Sequence, residues 1–379
     1  MSVQLINQKK IKICLIETLA NPYFNAMAIP FLKKALYKGD LDWLGGYEKL
    51  AHNYFEISDI NTCNYVITDC QWKIGWANFE IIEAARIARM YLKKIIIFVF
   101  DDSTEPICIE NAIVFRTSLD FSKKQQNEYP FPAFPNENFV DKYCREIAAI
   151  DSITETPIVG FCGNIDNKTM NRKNIKSFIK NVGYELVKRK CIYDVLLKFG
   201  IHLTKHTGRI IRNQVIYSIS REKHISKNFI IRDKFFNGTE EMSNEEKVLN
   251  IERSRIEYCK NILDSVYVLC PRGGGNFSYR LYETMSLSRI PIIINTDIEL
   301  PYQEFIDWKG ISVWIEEKDI SAMGTIILDF HRSKSKEQLL EIQCQCRKIW
   351  EEYLSPNGFF KNIHLLINPT SLTGDINEN

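Results

Sequence analysis

The chain has 379 residues, more than the ~250–300 at which a single core stops growing, so two domains are expected. Apolar residues make up 45% and charged residues 25%, the balance of an ordinary globular protein. Lys and Arg number 49 against 47 Asp and Glu, and a net +2 gives no reason to expect nucleic acid as the main partner. The 11 cysteines are odd in number and several, such as Cys14, Cys162 and Cys270, sit in apolar runs, which suits reduced, buried thiols. Met1–Lys10 is polar and Ile11–Ile16 is too short for a signal h-region or a membrane span, so a cytoplasmic protein is expected. Cys344 and Cys346 have the wrong spacing for a zinc knuckle, and no metal site is expected.

In chain order, Ile11–Ile16 and Tyr65–Thr68 read as strands, and Phe79–Leu92 as a helix with apolar residues at helical spacing. Ile95–Phe100 and Ala112–Phe115 complete the strands of a first α/β domain, 1–150. Continuous apolar strands separated by helices indicate a parallel sheet covered on both faces. Pro130, Pro132 and Pro135 place a linker in or just after Tyr129–Glu137, with Phe139–Ala149 a short helix at the joint.

A second α/β pattern, 151–335, begins at the strand Pro157–Cys162. It continues with the helical stretch Asn174–Leu197, the strand Phe229–Ile231, the helix Glu245–Leu263 and the strand Val266–Cys270. A helix at Ser278–Leu287 and strands at Ile292–Asn295 and Ser312–Ile315 follow, and Lys336–Leu354 is a helix in the closing segment 336–379. The tail Thr370–Asn379 is polar. Two Rossmann-like domains facing across a cleft, with a C-terminal helix crossing back, describe the α/β architecture called GT-B.

The chemistry is concentrated in Cys270–Glu283, where a buried strand runs through Gly273, Gly274 and Gly275 into a helix starting near Ser278. Glycines let backbone approach a ligand, and the helix end offers free N–H groups and positive potential, together an anion site suited to diphosphate. Arg280 and Glu283 share a helix face: the guanidinium can fork onto a phosphate and the carboxylate can accept ribose hydroxyls. A tight turn, a surface ion pair and a simple Ser278 N-cap are the structural alternatives. Gly273-x-Gly275 with Asp297 beyond the next strand also partly matches a dinucleotide fingerprint, but Ser278 stands at the third glycine position.

The run Val266–Glu283 resembles the exostosin signature, a strand ending in C-P-R-G followed by S-x-R-x-x-E. The resemblance continues through Arg289–Ile294, Leu300–Tyr302, Phe305–Trp308 and Ser312–Ile320. One departure is Ser288-Arg289, where the family usually has glycine ahead of I-P. The resemblance implies a soluble bacterial or viral member of a family of inverting, metal-independent GT-B glycosyltransferases. Such an enzyme would use a nucleoside-diphosphate sugar, UDP-linked by expectation, to build a glycan or polysaccharide on a glycan or lipid-linked acceptor. It places Arg272, Gly273, Gly274, Ser278, Arg280 and Glu283 at the donor, with Arg280 on the diphosphate and Glu283 on the ribose.

Inversion needs a general base for the acceptor hydroxyl, expected at strand carboxyl ends of the first domain. Asp69 and Asp102 are preferred over Glu17, with Asp101 beside Asp102. Lys205–Lys234 carries eight cationic residues against Glu222 and Asp233. It reads as a solvated face or as a surface for an anionic acceptor or lipid headgroups, which would put the protein at the inner face of a membrane. Arg232 within it is a second phosphate-ligand candidate. A catalytically inactive sugar- or nucleotide-binding subunit and an NAD-dependent oxidoreductase are the competing readings.

Overall fold

The computed structural model describes residues 10–18, 23–33, 36, 44, 46–134, 139–143, 153–165, 204–232 and 243–367. The expected helix at Asn174–Leu197 and the tail from Thr370 lie outside these residues. The strands are β1 (Ile11–Ile16), β2 (Phe55–Ile57), β3 (Tyr65–Thr68), β4 (Lys94–Val99), β5 (Ala112–Arg116), β6 (Glu128–Pro130), β7 (Ile158–Asn164), β8 (Ser226–Arg232), β9 (Tyr267–Leu269), β10 (Ile290–Asn295) and β11 (Val313–Glu316). The principal helices are α1 (Tyr47–Tyr54), α2 (Phe79–Met90), α3 (Phe139–Tyr143), α4 (Thr204–Ser220), α5 (Asn244–Leu263), α6 (Tyr279–Ser286), α7 (Met323–Arg332), α8 (Lys336–Ile349), α9 (Pro356–Asn362) and α10 (His364–Ile367).

The chain divides into two compact units. One comprises Met1–Phe139, Ile298–Ile306 and Lys348–Asn379; the other comprises Val140–Asp297 and Asp307–Arg347. Each is built on a wholly parallel sheet, as the apolar strands imply. α8 stays with the second unit through Arg347, and the chain joins the first unit only from Lys348.

In the first unit the strand order is β2-β1-β3-β4-β5-β6. Alternate residues of β4 and β5 face opposite layers. Ile95, Ile97, Val99, Ala112 and Val114 meet Ile81, Ala84, Ala85 and Ala88 of α2 in one core. Phe98 and Phe115 on the other face join an aromatic core with Phe131, Phe359 and Phe360. Phe360 also stacks on Tyr47 at 4.2 Å between ring centroids. The C-terminal segment therefore covers the second face of the first sheet. Its entry is fixed by Ser355, whose hydroxyl accepts from Gly358 N at 3.0 Å, with Pro356 at the first helical position.

The second unit has the order β11-β10-β9-β7-β8. α5 starts at a capping box between Ser243 and Glu246. The departure at Ser288 falls just past α6, where Ser288 takes a left-handed φ of 56°, a conformation that favours glycine. Arg289 is buried beside it and donates to the carbonyls of Leu263, Leu287 and Ser288, satisfying groups left open at helix ends.

Phe360→Ala should cost the first unit about 3–5 kcal/mol, because a fully buried ring would leave a cavity. Urea unfolding followed by circular dichroism measures this; a cost below ~1 kcal/mol would show that the C-terminal segment is not part of that core.

Candidate anion-binding site

The second unit carries its chemistry where the chain changes direction in the sheet. β7 pairs with β8 on one side and β9 on the other, so the carboxyl ends of β7 and β9 flank a switch point, the usual ligand crevice of a parallel sheet. β9 leads into Cys270–Phe277, and α6 begins after Ser278. Ser278 has extended backbone and occupies the N-cap, yet its hydroxyl makes no capping hydrogen bond.

The loop is held from two sides. Buried Asn276 donates to Thr296 O at 2.9 Å and accepts from the Thr296 hydroxyl at 2.7 Å. Gly273 N donates to Phe277 O at 3.0 Å, and a Cβ at Gly273 would make only an ordinary contact with Phe277 O at 3.9 Å. Gly208 of α4 lies against the same turn: a Cβ there would fall inside the van der Waals radius of the Gly273 carbonyl oxygen. Gly208 thus lets α4 approach the glycine loop at backbone contact.

Arg280 lies across the switch point. Its Nη2 donates to Cys162 O at 2.8 Å and its Nη1 reaches Leu269 O at 3.5 Å, tying the guanidinium to the ends of β7 and β9. The group lies over Phe161 at 4.6 Å and Tyr258 at 5.7 Å, both suitable for cation–π contact. A Cβ at Gly163 would come within 3.0 Å of Arg280 Nη2, so the glycine there leaves room for the guanidinium.

Arg212 of α4 joins it. Its Nη1 donates to Asn164 O at 3.0 Å, at the end of β7. Burial, then the positive charges of Arg280 and Arg209, depress the Arg212 pKa to about 10. The Nε atoms of both Arg212 and Arg280 are buried with no hydrogen-bond partner among the described residues. Two cations held together with unused donors form a preorganised receptor for an anion with several oxygens.

Glu283, buried one turn into α6, accepts from the Tyr258 hydroxyl at 2.6 Å. Burial, then the Glu283 charge, pushes the Tyr258 pKa well up, so Tyr258 remains a donor. Arg272 Nη2 is 3.4 Å from Gly274 O within the loop. Arg232 is engaged elsewhere: it ion-pairs with Glu257 at 2.5 Å and donates to Ser254 O at 3.0 Å. Asp297, the acid a dinucleotide site would need, is exposed in a left-handed turn after β10.

The basic segment is therefore not one solvated face: Arg212 and Arg232 turn into the fold, while Arg209 and Arg221 are exposed. Nothing among its described residues supports a membrane contact. No helix among the described residues is long and apolar enough to cross a membrane. Also among the described residues, no three His, Cys, Asp or Glu side chains come together to hold a metal ion. Cys270 is buried with its thiol pushed up to about 12 by burial, which removes it as a nucleophile.

In the first unit, Asp69 is buried and holds Thr18: its carboxylate accepts from Thr18 N at 3.0 Å and from the Thr18 hydroxyl at 2.6 Å. Glu17 is exposed after β1. Asp101 accepts from Ser103 N at 2.9 Å and Ile74 N at 3.3 Å, and burial raises its pKa against those bonds and the charges of Arg116 and Lys73. Asp102 is half-buried, and its carboxylate has no hydrogen-bond partner among the described residues. Arg116, paired with Glu128 at 2.8 Å, donates to the carbonyls of Ser103 and Glu105 and fixes the loop that carries both aspartates.

Residues 204–329 match the family model of the exostosin GT47 domain, which includes Arg212, Tyr258, Arg280 and Glu283. A probable glucuronosyltransferase of Oryza sativa subsp. japonica is 40% identical over 70 residues, 18% of this chain and 17% of that protein. The exostosin-1 homolog of Caenorhabditis elegans is 29% identical over 105 residues, 28% of this chain and 26% of that protein. The chain thus spans only about a quarter or less of these relatives' length. A glycosyltransferase structure from Rickettsia africae aligns over 97% of this chain and 100% of that one, at 11% identity and a TM-score of 0.39. A likeness that low identifies neither site nor substrate.

Arg212→Met should remove an anion site without unfolding the protein, because it also removes a buried charge repelled by Arg280. Inorganic pyrophosphate should raise the melting temperature of the wild type and not of the variant. Without ligand the two should agree within about 1 kcal/mol; a much less stable Arg212→Met would mean that Arg212 serves the fold. Because the folded-state pKa of Arg212 lies below its unfolded value, burial of the charge, together with its repulsion by Arg280 and Arg209, weakens stability at neutral pH, and this cost is relieved as pH rises above about 10.

Proposed function

We propose that this chain, which carries an exostosin GT47 domain in its second unit, is a glycosyltransferase that moves a sugar from a nucleoside diphosphate, UDP by preference, to a glycan or lipid-linked acceptor. The observation that carries this is the Arg212–Arg280 pair at the β7/β9 switch point, two cations with unused buried donors. A diphosphate fits that arrangement better than a single carboxylate, since it can engage both guanidinium groups and the positive end of α6.

In this reading the acceptor oxygen attacks the anomeric carbon from the face opposite the diphosphate. A base takes its proton, and the diphosphate leaves with the bonding electron pair. Arg280 and Arg212 neutralise the charge that grows on the leaving oxygens, which lowers the barrier because the contact is stronger in the transition state than before it. Glu283, oriented by Tyr258, accepts from the ribose hydroxyls, which do not change during the reaction. Asp102 is the best supported base of the three carboxylates named from sequence: Asp69 is committed to Thr18 and Glu17 is exposed.

UDP should raise the melting temperature by mass action and NAD should not. Stabilisation by NAD with none from UDP, GDP or CMP would remove the glycosyltransferase reading.

Arg280→Ala should lower kcat by about 100-fold or more, in the range of lost oxyanion-type donors. Glu283→Gln should chiefly raise the donor KM. Steady-state kinetics on folded variants separates them; an Arg280→Ala enzyme with wild-type kcat would exclude Arg280 as leaving-group stabiliser. A protein that binds UDP but never hydrolyses or transfers from a UDP-sugar would be a binding subunit.

A further inference from the structure

Arg280 and Glu283 stand one turn apart on α6, a spacing at which arginine and glutamate side chains ordinarily reach each other and pair. Among the described residues these two form no ion pair: Glu283 accepts from the Tyr258 hydroxyl at 2.6 Å, and the Arg280 guanidinium donates to Cys162 O at 2.8 Å. Tyr258 serves both groups. Its hydroxyl holds the carboxylate, and its ring lies 5.7 Å from the Arg280 guanidinium. A hydroxyl and a ring face are uncharged partners, one for an anion and one for a cation. A direct ion pair would instead occupy the guanidinium donors and leave fewer for an incoming anion.

The helix that presents Tyr258 is fastened on both sides of it. One turn before Tyr258, Arg232 donates to Ser254 O at 3.0 Å, and it ion-pairs at 2.5 Å with Glu257, the residue next to Tyr258. Beyond Tyr258, Asn261 Nδ2 donates to Asn228 O at 2.7 Å and Asn228 Nδ2 donates to Asn261 O at 3.1 Å, which ties α5 to β8. Arg232, a phosphate-ligand candidate in the sequence, thus braces the turn that carries the tyrosine. A hydroxyl held this firmly can fix the direction of the Glu283 carboxylate.

We propose that Tyr258 is a positioning residue that keeps Glu283 from pairing with Arg280, so that one site presents a cation to a diphosphate and a separate carboxylate to a ribose. The cation half requires only an anion with several phosphate oxygens; that the carboxylate meets a ribose rests on the glycosyltransferase reading.

Inorganic pyrophosphate has no ribose and reads the cation half alone. Calorimetric titration of the full chain gives its Kd for the wild type, Tyr258→Phe and the double variant Tyr258→Phe/Glu283→Gln. Tyr258→Phe keeps the ring and removes the donor, so Glu283 turns to Arg280 and pyrophosphate binding should weaken about tenfold or more. The double variant has no carboxylate to capture Arg280 and should bind within about threefold of the wild type. A tyrosine that served only packing would give no such rescue. The proposal is overturned if the wild type does not bind pyrophosphate, if folded Tyr258→Phe binds it as the wild type does, or if the double variant is as weak as Tyr258→Phe. Should Tyr258→Phe not fold, a double variant that folds and binds pyrophosphate supports the proposal, and one that fails to fold or to bind overturns it. A parallel UDP titration keeps the two readings apart: the pyrophosphate rescue in a protein that ignores UDP removes the glycosyltransferase reading and leaves the role of Tyr258.

Discussion

Two guanidinium groups share one end of a parallel sheet, and the second unit is arranged around keeping them there. Burial first, and then the like charges of Arg280 and Arg209, depress the Arg212 pKa. The protein offsets this with backbone carbonyls: Asn164 O for Arg212, Cys162 O and Leu269 O for Arg280. It adds the faces of Phe161 and Tyr258 around Arg280. Carbonyls and ring faces stabilise a cation without neutralising it, and the Glu283 charge acts on Arg280 without a direct ion pair among the described residues. Arg232 shows the other outcome, a guanidinium paired to Glu257.

The glycines near this end serve the same geometry. Gly208 allows α4 to touch the loop at Gly273, which brings Arg212 to the switch point, and Gly163 leaves space for Arg280. Asn276 and Thr296 lock the loop to the end of β10. Order in the loop before a ligand arrives means less entropy is lost on binding.

Much of this was legible in the sequence, because continuous apolar strands have one structural use. β1 and β3 match the expected bounds, and the other expected strands, with the helices α2, α5, α6 and α8, lie within a few residues of theirs, whereas α1, α4 and α7 were not expected. β2 and β6 escaped because each has three residues, too few for a pattern; β6 ends on Pro130 at the sheet edge, where a missing N–H is tolerated. α4 was hidden under its charge: Lys205–Lys234 reads as a basic surface, although buried Ile211, Val215 and Ile219 recur at helical spacing within it. Arg212 was lost with it. Tyr258 beside Glu283 spans 25 residues, and no local spacing announces such a contact. The resemblance around Ser265–Ile320 located the glycine loop, Arg280 and Glu283, but not the helix that supplies the second arginine.

A crystal structure of the chain with UDP tests the central claim most directly. The account predicts diphosphate oxygens within hydrogen-bond distance, about 2.7–3.2 Å, of both Arg280 and Arg212, with the ribose toward Glu283. UDP bound away from the β7/β9 switch point, or a diphosphate held by Arg232 with Arg212 uninvolved, would contradict it.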